Sequence, residues 1–272
     1  MKQLVWVTDI HLNFISMAGV ETFCRRIADE KPDALLIGGD IAEAPDVVSY
    51  LKTLAEHLAR PIYFVLGNHD FYHGSIAQVR REATELTRQS EWLRYLPDCG
   101  VIKLTEDTCL IGHDGWGDGR IGDYAGSRVM LNDYRLIKEL TGLNREMLLR
   151  NLNALGDEAA DYLNSVLHEA LAQFSNVIVL LHVPPFEEAC WHEGKISEAD
   201  WLPYFTCKAV GDVLFDAMRK RPDRQMKVLC GHTHGSGVAH PLPNMMVKTG
   251  GAQYGWPNLF KPYQAASEFY GK

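Results

Sequence analysis

The sequence predicts an α/β fold with parallel strands at its heart, and three observations carry that prediction. Short apolar runs alternate with amphipathic stretches through the first 95 residues, a strand–helix rhythm. Five of the apolar runs end in a short burst of Asp, Asn or His, placing polar chemistry at the carboxyl ends of strands, where open α/β sheets hold their ligands. The 272 residues are 46% hydrophobic, which is enough to bury a sizeable core.

Residues 2–7 form the first strand, with Leu4, Val5, Trp6 and Val7 consecutive, and they lead straight into Thr8-Asp9-Ile10-His11. Asp9 and His11 are two apart, so an extended chain would put both side chains on one face. Residues 17–30 read as an amphipathic helix with Val20, Phe23, Cys24 and Ile27 on one face. A strand over 34–37 ends in Gly38-Gly39-Asp40. A second helix covers 45–59, a third strand 62–66 precedes Gly67-Asn68-His69-Asp70, and a third helix is expected over 75–95 with Ser75 as its N-cap.

The rhythm then changes. Strands near 101–104 and 108–111 suggest a hairpin, and glycine-rich residues 112–123 a loop. Helices are expected over 131–155, broken near Gly142, and over 157–174. The strand 177–181 delivers His182, and 186–207 reads as a long aromatic loop. A helix over 210–220, a strand over 227–230 delivering Gly231-His232-Thr233-His234, and a strand over 245–249 complete the pattern. The tail from Trp256 is aromatic and weakly patterned. No linker or internal repeat appears, so one domain over 1–272 is expected, with insertions about 112–175 and 183–207.

Composition narrows the function. The formal net charge is -8, against the basic excess expected of a chain with a long nucleic-acid footprint. No run approaches the roughly 18 apolar residues of a membrane span, and no signal peptide is visible. The six cysteines lack CxxC spacing and read as reduced thiols. A cytoplasmic protein acting on a small phosphorylated substrate is compatible with all of this.

The strand ends collect Asp9, His11, Asp40, Asn68, His182, His232 and His234, with His69 beside them. Carboxylate, carboxamide and imidazole without thiolate suits Mn, Fe or Zn, and seven donors suit two divalent ions sharing a carboxylate. Asp9 and Asp40 could alternatively be helix N-caps, though capping would not need the His companions.

The ordered set Asp9-x-His11, Gly39-Asp40, Gly67-Asn68-His69-Asp70, His182 and Gly231-His232-Thr233-His234 resembles the calcineurin-like metallophosphoesterases over residues 9–234. The resemblance implies a four-layer αββα sandwich with a dinuclear centre that hydrolyses phosphate esters. It implies Asp9, His11, Asp40 and His234 for one metal and Asp40, Asn68, His182 and His232 for the other, with Asp40 bridging. His69 is then left to protonate the leaving oxygen or steady the transferring phosphoryl group, oriented by Glu43 or Asp70. The Asp-Arg-Gly that follows the bridging Asp in the family's phosphoprotein phosphatases is absent from Gly39-Asp40-Ile41-Ala42-Glu43-Ala44, which argues against that subgroup. The motif order is similar to the class containing bacterial cyclic-nucleotide phosphodiesterases, a pattern that other substrates share.

Substrate contacts are expected from loops at the strand ends. Arg120 or Arg128 would contact phosphate, Trp116 would stack on a base, and His73 would line the pocket. The alternative for these loops is that they only cover the sheet. A nuclease and a non-catalytic binding scaffold on the same fold remain as other readings.

Overall fold

A computed structural model describes residues 3–264. In chain order its strands are β1 (Gln3–Val7), β2 (Ala34–Gly38), β3 (Ile62–Val65), β4 (Leu93–Tyr95), β5 (Ile102–Lys103), β6 (Thr108–His113), β7 (Asn176–Leu181), β8 (Trp191–His192), β9 (Lys195–Ile196), β10 (Gln225–Cys230), β11 (Gly237–Leu242), β12 (Met245–Thr249) and β13 (Phe260–Gln264). The helices are α1 (Met17–Asp29), α2 (Val47–Leu58), α3 (Ile76–Gln89), α4 (Asp133–Leu136), α5 (Arg145–Gln173), α6 (Leu202–Phe205) and α7 (Lys208–Arg219).

Two sheets stack face to face. One has the order β13-β1-β2-β3-β4 and the other β11-β12-β10-β7-β6-β5. The inner strands of each pair in parallel, and the edges β13, β11 and β5 are antiparallel. Period-2 alternation sends each strand's side chains to two different apolar layers. Val5, Val7, Leu35, Ile37 and Phe64 pack under α1, α2 and α3 through Val20, Phe23, Leu51, Leu54 and Val79. Leu4, Trp6, Leu36 and Val65 meet Leu110, Ile178, Leu180 and Leu229 of the second sheet. Ile111, Val177, Val179 and Val228 pack under α5 and α7 through Leu163, Leu167, Leu171 and Leu214. This is the four-layer αββα sandwich.

Several expectations are corrected. The third helix stops at Gln89, because Ser90 turns extended and its Oγ accepts from the amides of Trp92 and Leu93; Leu93–Tyr95 then joins the first sheet as β4. The helices expected on either side of residue 156 are one continuous α5, capped by Asn144, whose Oδ1 accepts from Met147 N at 2.9 Å. Gly156 stays helical and serves a packing need, since a Cβ there would meet the Asp118 side chain. Only the short α4 precedes the turn at Gly142, which has φ 70°. The 186–207 loop contains the β8–β9 hairpin and α6. Two edge strands, β11 and β13, were not anticipated, and the tail beyond residue 264 lies outside the described residues. All six cysteines are free thiols. Among the described residues no helix is long and apolar enough to cross a membrane.

Candidate metal centre

Every sequence-predicted metal ligand arrives at one place, between the carboxyl ends of β1, β2, β3, β7 and β10. The backbone does not reach it as expected. Asp9 and His11 are not extended but left-handed, with φ 51° and 41°, as are Asp40 (50°), His232 (71°) and His234 (58°). Non-glycine residues avoid this region, and each such residue costs about 1–3 kcal/mol. A glycine would relieve the strain but would forfeit the side-chain donor. The turns are held by Asp9 N donating to Gly39 O and His11 N to Asp40 O, both at 3.0 Å. Gly67 and Gly231 are required by close approach, since a Cβ at either would collide with the carboxylate of Asp40 or Asp9.

The first group is Asp9, His11, Asp40 and His234, whose ligand atoms all lie within 4.8 Å of one another. His11 Nε2 is 3.2 Å from His234 Nε2 and 3.8 Å from Asp40 Oδ2, and His234 Nε2 is 3.5 Å from Asp9 Oδ1. Asp9 is oriented by Thr8 Oγ1, which donates to Oδ2 at 2.6 Å, and by His232 N.

The second group is Asp40, Asn68, His182 and His232. His182 Nδ1 donates to Gly38 O at 2.8 Å and His232 Nε2 donates to Tyr204 O at 3.0 Å. A carbonyl only accepts, so these bonds set the tautomers and leave His182 Nε2 and His232 Nδ1 as lone pairs. The two lone pairs are 3.2 Å apart and lie 3.1 and 3.0 Å from Asn68 Oδ1. Asp40 Oδ1 is 3.4 Å from His182 Nε2. Burial pushes His232 down to about 4 and His11 to about 2, and holds His182 far below the usual range, so the rings are neutral at pH 7. Converging acceptors of this kind suit a cation, and oxygen with imidazole nitrogen suits a borderline or hard divalent ion.

Asp133, buried on α4, was missed by sequence reasoning. Its Oδ1 accepts from Asn68 Nδ2 at 2.9 Å and from Tyr72 OH at 2.7 Å, which turns the Asn68 carbonyl toward the two histidines. A lone Asp in a predicted helix offers no signal of this.

His69 sits beside the first group, its ring centroid 4.7 Å from that of His11, and its backbone N donates to Asp40 Oδ1 at 2.9 Å. Neither predicted orienting carboxylate hydrogen-bonds to it. Asp70 accepts from the amides of Ile41, Ala42 and Gly67, which ties the β2 and β3 loops together. Glu43 faces His73, at 3.9 Å. Instead Tyr254 OH lies 3.4 Å from His69 Nε2.

The predicted substrate contacts fare worse. Trp116 is buried against Phe71 and is no stacking platform. Arg120 is held by Asp118 and Asp157. His73 is half-exposed and Arg128 exposed, and neither lines the cleft over the centre. That cleft, about 360 Å³, is walled by residues that include Met130, Leu131, Asp133, His192, Phe205 and Tyr254.

Residues 3–236 match the sequence profile of the calcineurin-like phosphoesterases. No curated protein matches the chain. Among solved structures it is similar to the phosphopantetheinyl hydrolase of Mycobacterium tuberculosis, with 14% identity, 99% of this chain and 98% of that chain covered, and a TM-score of 0.63. It is similar to a dimetal phosphatase from Danio rerio, with 12% identity, 92% and 87% covered, and a TM-score of 0.56. It is also similar to the protein TT1561 of Thermus thermophilus, with 16% identity, 92% and 89% covered, and a TM-score of 0.55. At such identities the likeness is one of fold, while the profile match spans most of the chain. The chain therefore belongs to the calcineurin-like phosphoesterase family, hydrolases of phosphoric ester bonds.

Proposed function

We propose that this chain hydrolyses the phosphate ester of a small molecule with two divalent ions, held by the two groups of side chains. The observation that carries this is Asp40, whose Oδ2 faces His11 while its Oδ1 faces His182, one oxygen toward each group. Asp9, His11, Asp40 and His234 hold one ion; Asp40, Asn68, His182 and His232 hold the other. Bound there, Mn, Fe or Zn would supply Lewis acidity to the phosphoryl oxygens and acidify the attacking water.

The chain's own residues do the rest. Gly38 and Tyr204 carbonyls fix two imidazole tautomers, and Asp133 fixes the Asn68 amide. His69, pushed down to about 3 by burial, is neutral and keeps one ring N–H to hydrogen-bond to the charge developing on the leaving ester oxygen. A cleft of about 360 Å³ suits one small molecule. Free, mostly buried cysteines fit a reducing cytoplasm.

The test is metal content and turnover of p-nitrophenyl phosphate esters, on protein stripped and resupplied with Mn. Asp40→Asn should lose metal and turnover together. His69→Ala should keep both metals and slow turnover by roughly 100- to 10,000-fold. Full activity in either variant overturns the reading.

A further inference from the structure

The cleft has an unusual charge for a site that takes phosphate. Among the described residues none of its lining side chains is Lys or Arg, while two, Asp40 and Asp133, are carboxylates. Two arginines that do not line the cleft are paired with carboxylates. Arg80 is bound by Asp114 and Glu158, and Arg120 by Asp118 and Asp157. A phosphomonoester carries about -1.5 to -2 charges at pH 7, as its second pKa is near 6. A diester carries one, so it asks for less countercharge from a site whose only added charges are negative.

Part of the lining is aromatic or apolar. Tyr254 lines the cleft and is 45% exposed. Its ring lies 4.5 Å from His11, 5.0 Å from His234 and 4.9 Å from Phe14 between centroids. Phe14 is 51% exposed, and Trp256, two residues beyond Tyr254, is 70% exposed. The aromatic shelf thus begins at the ligand histidines and runs outward. Met130 and Leu131 also line the cleft. Of this shelf, Phe14 lies inside the 3–236 match and Tyr254 beyond it.

We propose that the cleft selects phosphodiesters over phosphomonoesters, with an aromatic or apolar ester arm lying on the Tyr254–Phe14 shelf. This rests on the proposed hydrolysis at the same centre. Water attacks phosphorus, the bond from phosphorus to one ester oxygen breaks, and that oxygen leaves with a proton. The other arm stays on the phosphomonoester product.

Three substrates with one leaving group separate charge from arm: p-nitrophenyl phosphate, methyl p-nitrophenyl phosphate and bis(p-nitrophenyl) phosphate, each on the Mn-loaded protein. We expect kcat/KM for the bis ester to exceed that for the monoester at least tenfold, and to exceed that for the methyl ester through KM. Tyr254→Ala should remove most of the difference between the two diesters, and Tyr254→Phe should keep it. Metal content measured on both variants should equal the parent's, which separates a lost shelf from a lost ligand. A monoester turned over faster than both diesters overturns the charge argument, and an unchanged bis-to-methyl ratio in Tyr254→Ala overturns the shelf. Turnover of none of the three with two metals bound overturns the proposed function itself.

Discussion

Asp133 is where a single buried side chain, at the wall of the cleft, governs the centre without being one of its ligands. It takes both the Asn68 amide and the Tyr72 hydroxyl on one oxygen, so the Asn68 carbonyl has one orientation. Asp133→Ala should free that amide and weaken Mn binding by about 10- to 100-fold, since partners of metal ligands typically contribute that much. Titrating activity and bound metal against Mn checks this; an unchanged affinity would show that Asn68 is positioned without Asp133. The ligands themselves were legible because Asp, Asn and His follow apolar strands. The left-handed backbone of Asp9 and His11 was not, because it is held by Gly39 O and Asp40 O, which come from a different strand loop. Arg120 and Trp116 were misread for the same reason. Their residue types suit phosphate and base, but Asp157 and Phe71, distant in sequence, had already engaged them.

At the scale of elements, α3 is capped from outside itself. Ser75 makes no side-chain cap; instead Glu139 accepts from Ser75 Oγ at 2.6 Å, Ile76 N at 3.0 Å and Ala77 N at 3.1 Å. A carboxylate at a helix N-terminus satisfies orphan amides and meets the positive end of the dipole. Partial burial raises the Glu139 pKa, but these bonds outweigh it and bring the pKa below the usual 4.5. A lowered folded pKa means that the stabilisation is present above the unfolded value and fades as pH falls through the folded one. Glu139→Gln should therefore cost about 1 kcal/mol at pH 7 and progressively less under acid conditions. Thermal unfolding of both proteins at neutral and acid pH measures it; a cost that is constant with pH would mean that the charge contributes nothing. Helix periodicity located α1, α2 and α7 well. It could not find β4 inside a run compatible with helix, nor β11 and β13, because edge strands are chosen by the neighbour they pair with.

For the whole molecule, two groups of converging acceptors sit at the seam between the sheets, so metal is expected to stabilise the fold as well as act in it. At a hundredfold excess over Kd, a bound ion adds about 2.7 kcal/mol, or roughly 5–10 °C in Tm for a chain of this size. A chelator should lower Tm by that order and Mn should restore it. A Tm indifferent to both would mean that the centre binds no ion tightly. The sequence by itself determined the α/β class, the inner strands and the identity of the clustered side chains, because apolar periodicity and residue chemistry are local properties, while the four-layer order was implied by the family resemblance. Tertiary structure alone decided which Asp40 oxygen faces which group, which nitrogen each histidine presents, and that Asp133 and Tyr254 belong at the site. Those outcomes depend on hydrogen bonds and packing between segments far apart in the chain, which no local pattern encodes.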